Sequence, residues 1–166
     1  MVLIVDDDRA IRVTLTLLLE RNGYAVMRAD SPAAAMDIVR SHADLQLVLM
    51  DMNYTLATDG EEGLTLLKQV KVFRPDTPVI LMTAWGTIDL AVQGMRNGAF
   101  DFITKPWNNG VLMDRVETAI ALSASLPSGE SSPVPEEIEG HGHIIGRSPH
   151  LLSLLATAQR VAQTNA

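Results

Sequence analysis

Met1-Val2-Leu3-Ile4-Val5 runs directly into Asp6-Asp7-Asp8. An apolar stretch of strand length that stops abruptly at acids reads as a strand buried on both faces and meeting a turn. Ile11, Leu15, Leu18, Leu19 and Asn22 follow at helical spacing, and Gly23 supplies a stop. Residues 24–28 are strand-like, and Ser31-Pro32 opens a second helix as N-cap and first-turn proline. Residues 45–50 form an apolar run of buried-strand length closed by Asp51. A helix is expected over 61–73, stopped by Arg74-Pro75, with a further buried strand at 78–83. Ile88, Ala91, Val92, Met95 and Ala99 make an apolar helical stripe, 100–104 a fifth strand, and Leu112, Val116, Ala119 and Ile120 a fifth helix reaching about Ser125. Strand and helix thus alternate five times. That alternation predicts an α/β domain, a doubly wound parallel sheet covered by helices on both sides, because parallel strands need crossover connections.

Composition bounds what such a domain does. The chain of 166 residues is 47% hydrophobic and 20% charged, as expected of one globular domain with residues to spare. A net charge of −7 argues against this segment gripping nucleic acid, which needs a basic surface. The absence of cysteine removes disulfides and thiolate metal sites and fits a cytoplasmic protein. No apolar run approaches membrane-spanning length, so no membrane partner is expected. Residues 125–143 read as a linker, with Pro127, Pro133 and Pro135 breaking any periodicity. In 144–166, Ser148-Pro149 caps a helix with Leu151, Leu154, Leu155, Ala158 and Val161 on one face, an unaccompanied stripe that reads as the opening of a further domain. His141 and His143 in the linker read as solvated rather than metal-bound.

In open parallel sheets, ligands bind beyond the carboxyl ends of the strands. The residues there are Asp6 and Asp7, Asp51, Thr83 and Lys105. Two like charges about 4 Å apart repel by roughly 4 kcal/mol at an effective dielectric of 20, so three converging carboxylates call for a cation. An all-oxygen set with open positions suits Mg²⁺. Phosphoryl transfer is the chemistry this set supports: a carboxylate attacks phosphorus while cations and a hydroxyl offset the spreading charge. Asp51 is the natural nucleophile, ending the central strand with Asp6/Asp7 on one side and Thr83/Lys105 on the other. Each residue also has an ordinary reading. Asp6–Asp8 can cap a helix, a strand-end threonine is commonly structural, and Lys105-Pro106 can be a solvated loop; Asp8 is expected only to cap. The functional reading rests on all of them falling at successive strand ends.

The stretches 2–8, 47–51, 81–84 and 102–106 together resemble bacterial response-regulator receiver domains, and the resemblance covers residues 1–124. It implies a flavodoxin-like, CheY-like five-stranded sheet of order 2-1-3-4-5. It further implies that Asp6, Asp7, Asp51 and the backbone carbonyl of Asn53 hold Mg²⁺, that Asp51 accepts a phosphoryl group from a sensor histidine kinase, and that Thr83 and Lys105 bind the phosphoryl oxygens. The Lys105–Pro106 peptide would be cis, and Thr83 with Phe102 would form the switch, although Phe102 reads equally as plain core. One departure stands out. The usual Met-Pro-x-x-Asp-Gly loop is replaced over 53–60 by a longer segment without proline, predicting a more mobile loop, and Trp85 flanks the same pocket.

Residues 144–164 resemble the entry into the AAA+ domain of sigma-54-dependent activators, without the Gly-x-x-x-x-Gly-Lys loop. That resemblance implies sigma-54 RNA polymerase and DNA engaged through missing domains, and the long fifth helix, reaching about Ser125, is expected to continue an apolar seam into a homodimer contact, although core packing explains Leu112 and Val116. Two competing readings are a binding-only receiver and a haloacid-dehalogenase-like phosphatase, faintly matched by 51–55. In the latter, Asn53 would occupy the acid/base position, where an amide can transfer no proton. No glycine-rich turn follows the first strand, which disfavours a nucleotide-binding fold.

Overall fold

The computed structural model describes residues 1–53, 61–83 and 88–125. Its elements are β1 (Val2–Val5), α1 (Arg9–Arg21), β2 (Val26–Ala29), α2 (Pro32–Ser41), β3 (Leu47–Asp51), α3 (Glu61–Phe73), β4 (Val79–Thr83), α4 (Ile88–Arg96), β5 (Asp101–Thr104) and α5 (Asn109–Ala124). All strand pairs are parallel and the sheet order is β2-β1-β3-β4-β5, the doubly wound arrangement expected from the alternation. Among the described residues no helix is long and apolar enough to cross a membrane.

Strand periodicity builds two cores from one sheet. Leu47 and Leu49 of β3 point toward α1 and α5 and pack with Leu15, Leu19, Leu112 and Val116. Val48 and Met50, one residue out of phase, point the other way and pack with Val39, Leu67 and Val70 of α2 and α3. Every residue of β1, β3 and β4 is buried, which explains why these strands read as apolar runs and not as alternations. Leu112 and Val116 are therefore core residues.

Differences from the sequence reading lie at element ends. Strand pairing in β2 starts at Val26 and not at residue 24, because Gly23 takes φ +85° and Tyr24 N–H still donates to the Leu19 carbonyl at the exit of α1. The fourth helix stops at Arg96, three residues short of Ala99: Gly98 adopts φ +91° and Ala99 N–H turns back onto the Gly94 carbonyl. Ser31 stands at the N-cap of α2 as expected, yet its hydroxyl makes no cap bond and faces Asp30 Oδ1 at 3.1 Å. The expected mobility of the loop over 54–60, the placement of Trp85, and the linker, histidines and helix of 126–166 lie outside the described residues.

Candidate functional site: an acidic rim crossed by one lysine

The site forms where β1, β3, β4 and β5 end. β1 delivers Asp6, whose side chain is fully buried. Its Oδ1 accepts the Asp8 N–H at 2.9 Å, and its Oδ2 accepts from the Lys105 ammonium at 2.7 Å. The next residue, Asp7, is exposed, and Asp8 turns away to cap α1, accepting N–H bonds from Ala10 and Ile11 at 2.7 and 3.4 Å. The three neighbouring acids thus divide: Asp6 and Asp7 face the rim and Asp8 serves the helix. Arg12 fixes the turn from behind, donating to the carbonyls of Asp6 and Asp7 at 2.6 and 2.9 Å.

β3 delivers Asp51, only 6% exposed. Its Oδ1 accepts the Met52 N–H at 2.8 Å and its Oδ2 lies 3.0 Å from Lys105 Nζ. Oxygens of Asp6, Asp7 and Asp51 all lie within 4.8 Å of one another. Burial pushes the Asp51 carboxyl above its ordinary range; Lys105 pulls it back, and Asp6 pushes it up again. Burial also favours neutral Lys105, but Asp6 and Asp51 together outweigh it and the ammonium is held charged to higher pH than usual. The pairing is unequal because Lys105 answers two carboxylates while Asp51 shares its one cation with Asp6.

Thr83 closes β4 and is buried; its carbonyl accepts the Lys105 N–H at 2.7 Å, tying the ends of β4 and β5 together. The Lys105–Pro106 peptide is cis, as expected. Phe102 is half-buried against the core on the α2/α3 side, its carbonyl accepting from Arg115. Asn53 follows Asp51 by two residues, and its side-chain Oδ1 is buried without a hydrogen-bond partner among the described residues.

Two contributors escaped the sequence reading. Arg12 is one, since nothing in a helical arginine announces that it anchors the preceding turn. Gly63 is the other: it is buried at the start of α3, and a Cβ there would stand 2.6 Å from Met52 Cα and Met52 O. Only glycine lets α3 approach the strand end that carries Asp51.

A five-stranded doubly wound fold with three carboxylates, a hydroxyl and a lysine at the strand ends defines a receiver-type architecture. Residues 2–117 match the family described as response regulator receiver domain, and the chain belongs to that family. Response regulator protein FleR of Pseudomonas aeruginosa is 36% identical over 164 residues, 99% of this chain and 31% of FleR. Transcriptional regulatory protein ZraR of Klebsiella oxytoca is 31% identical over 165 residues, 99% of this chain and 35% of ZraR. The chain spans about a third of the length of these curated relatives. The crystal structure of the receiver domain of NtrX from Brucella abortus superposes with a TM-score of 0.66 at 31% identity, covering 73% of this chain and 98% of that one. A Burkholderia pseudomallei response regulator, crystallised with a phosphorylated aspartic acid, a calcium ion and citrate, gives a TM-score of 0.62 at 27% identity, covering 75% of this chain and 70% of that one. The phosphatase reading is not favoured by this fold and family.

Proposed function

We propose that this receiver domain accepts a phosphoryl group on Asp51 from the phosphohistidine of a sensor histidine kinase and thereby switches a longer transcriptional regulator. The observation that carries the reading is the convergence of Asp6, Asp7 and Asp51 oxygens within 4.8 Å, with Lys105 bridging Asp6 and Asp51. An Asp51 oxygen attacks phosphorus, the phosphorus–nitrogen bond breaks, and the donor leaves as imidazole. Lys105 and the Thr83 hydroxyl bind the phosphoryl oxygens. The Asp51 carboxylate is held by its own chain through the Met52 N–H, which leaves Oδ2 on the lysine side of the rim to react.

The donor set suits Mg²⁺. It is all oxygen, and opposite ligands of an octahedral Mg²⁺ stand about 4 Å apart, close to the spread of these carboxylates. The buried Asn53 Oδ1, which has no hydrogen-bond partner among the described residues, is consistent with a ligand on this side. Asp6, Asp7, Asp51 and the Asn53 carbonyl would hold the ion, which when bound neutralises charge on the phosphoryl oxygens. Thr83 and Phe102 act as the switch. Asp51 catalyses nothing beyond its own phosphorylation and hydrolysis in this reading.

The FleR alignment extends past the receiver segment to nearly the whole chain, supporting residues 144–166 as the start of an AAA+ domain after a linker over 125–143. The wider protein would then engage sigma-54 RNA polymerase and DNA in the cytoplasm. A homodimer is supported by exposed Val111 and Leu122, which share one face of α5 about three turns apart. Mass spectrometry after treatment with acetyl phosphate and Mg²⁺ tests the central claim. One phosphoryl adduct on Asp51, absent from Asp51→Asn and without Mg²⁺, is the expected result; no adduct, or an adduct elsewhere, rejects it.

A further inference from the structure

Beside the acidic rim, on the edge-strand side, lies a cavity of about 460 Å³ whose charge is of the opposite sign. Arg9 and Arg12 from the first turn of α1 and Arg28 from β2 line it, with Asp30 as the one acid and Val13, Ala29 and Ala34 as apolar walls. In a chain of net charge −7, three guanidiniums around one small concavity are an uneven use of few cations. The sheet's alternation explains the meeting: β2 pairs Arg28 with Ile4, and Ile4 belongs to the core on the α1 side. Arg12 is anchored on the carbonyls of Asp6 and Asp7, whereas the guanidiniums of Arg9 and Arg28 form no ion pair or hydrogen bond among the described residues.

A second feature points the same way. The first turn of α2, which contributes Ala34, starts with Pro32 and has no side-chain cap. The first helical bond runs from Ala35 N–H to the Ser31 carbonyl, so the N–H groups of Ala33 and Ala34 have no acceptor within the helix. Contrast α1, whose first amides are taken by Asp8. An uncapped helix N-terminus presents N–H groups and the positive end of its dipole to an anion. Arginine offers planar paired donors matched to phosphate oxygens. We infer that this cavity is a second anion site, distinct from the acidic rim, that binds the phosphate group of a small molecule between Arg9, Arg28 and the N-terminus of α2. A tetrahedral dianion can pair with both guanidiniums beside the first turn of α2, and it is small enough for the cavity. The inference stands whether or not Asp51 is phosphorylated.

Amide NMR titration of the full chain with inorganic phosphate at low ionic strength tests it. Saturable shifts are expected at Arg9, Arg28, Ala33 and Ala34, weakened roughly tenfold by Arg28→Gln or Arg9→Gln, as loss of one charge-assisted hydrogen bond implies. Added salt should weaken them too. Retained spectral dispersion in each variant keeps a folding defect apart from a binding defect. Competition by acetyl phosphate would assign the site to phosphate groups carried on phosphoryl donors, and its failure to compete would assign it to free phosphate. Shifts confined to Asp51, Thr83 and Lys105, shifts untouched by either substitution, or a response only to an acidic peptide would each overturn the inference.

Discussion

Lys105 reaches Asp6 across two intervening strands. The lysine follows β5 and the aspartate follows β1, with β3 and β4 between them, yet Nζ and Oδ2 are 2.7 Å apart. At about 4.8 Å per strand the ends are separated by roughly 14 Å, a gap closed by the lysine stem and by a turn pinned to the Thr83 carbonyl. One side chain therefore fastens the carboxyl edge of the sheet, and in doing so offsets the charge that edge concentrates.

Removing that cation should have two opposed effects. In Lys105→Ala, Asp6 and Asp51 are left buried and uncompensated, so unfolding in chelator at neutral pH should become easier by about 3 kcal/mol. The same loss leaves the acids with a stronger field for external cations. Mg²⁺ should thus raise the thermal midpoint of the variant more than that of the wild type, while labelling by acetyl phosphate slows. A smaller Mg²⁺ response in the variant would contradict this account.

The Asp51 carboxyl gives a pH dependence of defined sign. Its folded value lies above its unfolded one, because burial dominates over the help of Lys105. A carboxyl shifted upward contributes stability that is fully present below the unfolded value of about 3.9 and is lost as pH rises through the folded value. In Asp51→Asn that loss is absent. Urea denaturation without metal should find the variant more stable than wild type at pH 7.5, with the gap narrowing toward pH 4.5. A gap that widens on acidification refutes the assignment.

The fold was legible because its signals are coarse. Buried parallel strands are unavoidably apolar runs, as at Leu47–Asp51, and the polar residues that end them, acids, threonine and lysine, break the apolar pattern. Element ends were less legible. The shift of β2 to Val26 depends on a glycine turn whose exit bond to Leu19 no periodicity encodes, and the N-cap role of Ser31 depends on a rotamer. At the site, residue types were readable but partners were not. That Asp6 and not Asp7 would be the fully buried acid, and that Arg12 would hold the turn, follow from three-dimensional packing across strands distant in sequence.

Gly63 illustrates that kind of packing and can be tested directly. Its N–H donates to the Met52 carbonyl at 3.2 Å, and a methyl group there would overlap Met52 backbone, which cannot rotate aside. Gly63→Ala should lose about 2 kcal/mol through overpacking, even though alanine is the better helix former. The urea midpoint should fall without a change in slope. A more stable variant would mean that α3 can shift outward freely.

The pair Asp101–Arg115 predicts an asymmetry. Asp101 is 6% exposed at the start of β5; its Oδ1 accepts the Phe102 N–H at 2.8 Å and its Oδ2 meets Arg115 at 3.1 Å. Arg115 also donates to the Phe102 carbonyl, so α5 holds the backbone of the candidate switch residue on one side and its neighbour's carboxylate on the other. Arg115→Met leaves a buried carboxylate without its cation and a carbonyl without its donor, a loss of about 3 kcal/mol. Asp101→Asn keeps an acceptor for the Phe102 N–H and leaves the arginine, itself partly exposed, free to find water. It should cost about 1 kcal/mol, within the range of a single hydrogen bond. Chemical denaturation of the two variants side by side decides the matter: equal losses would remove the asymmetry, and a larger loss for Asp101→Asn would show that the arginine and not the carboxylate is the group that burial makes dependent on its partner.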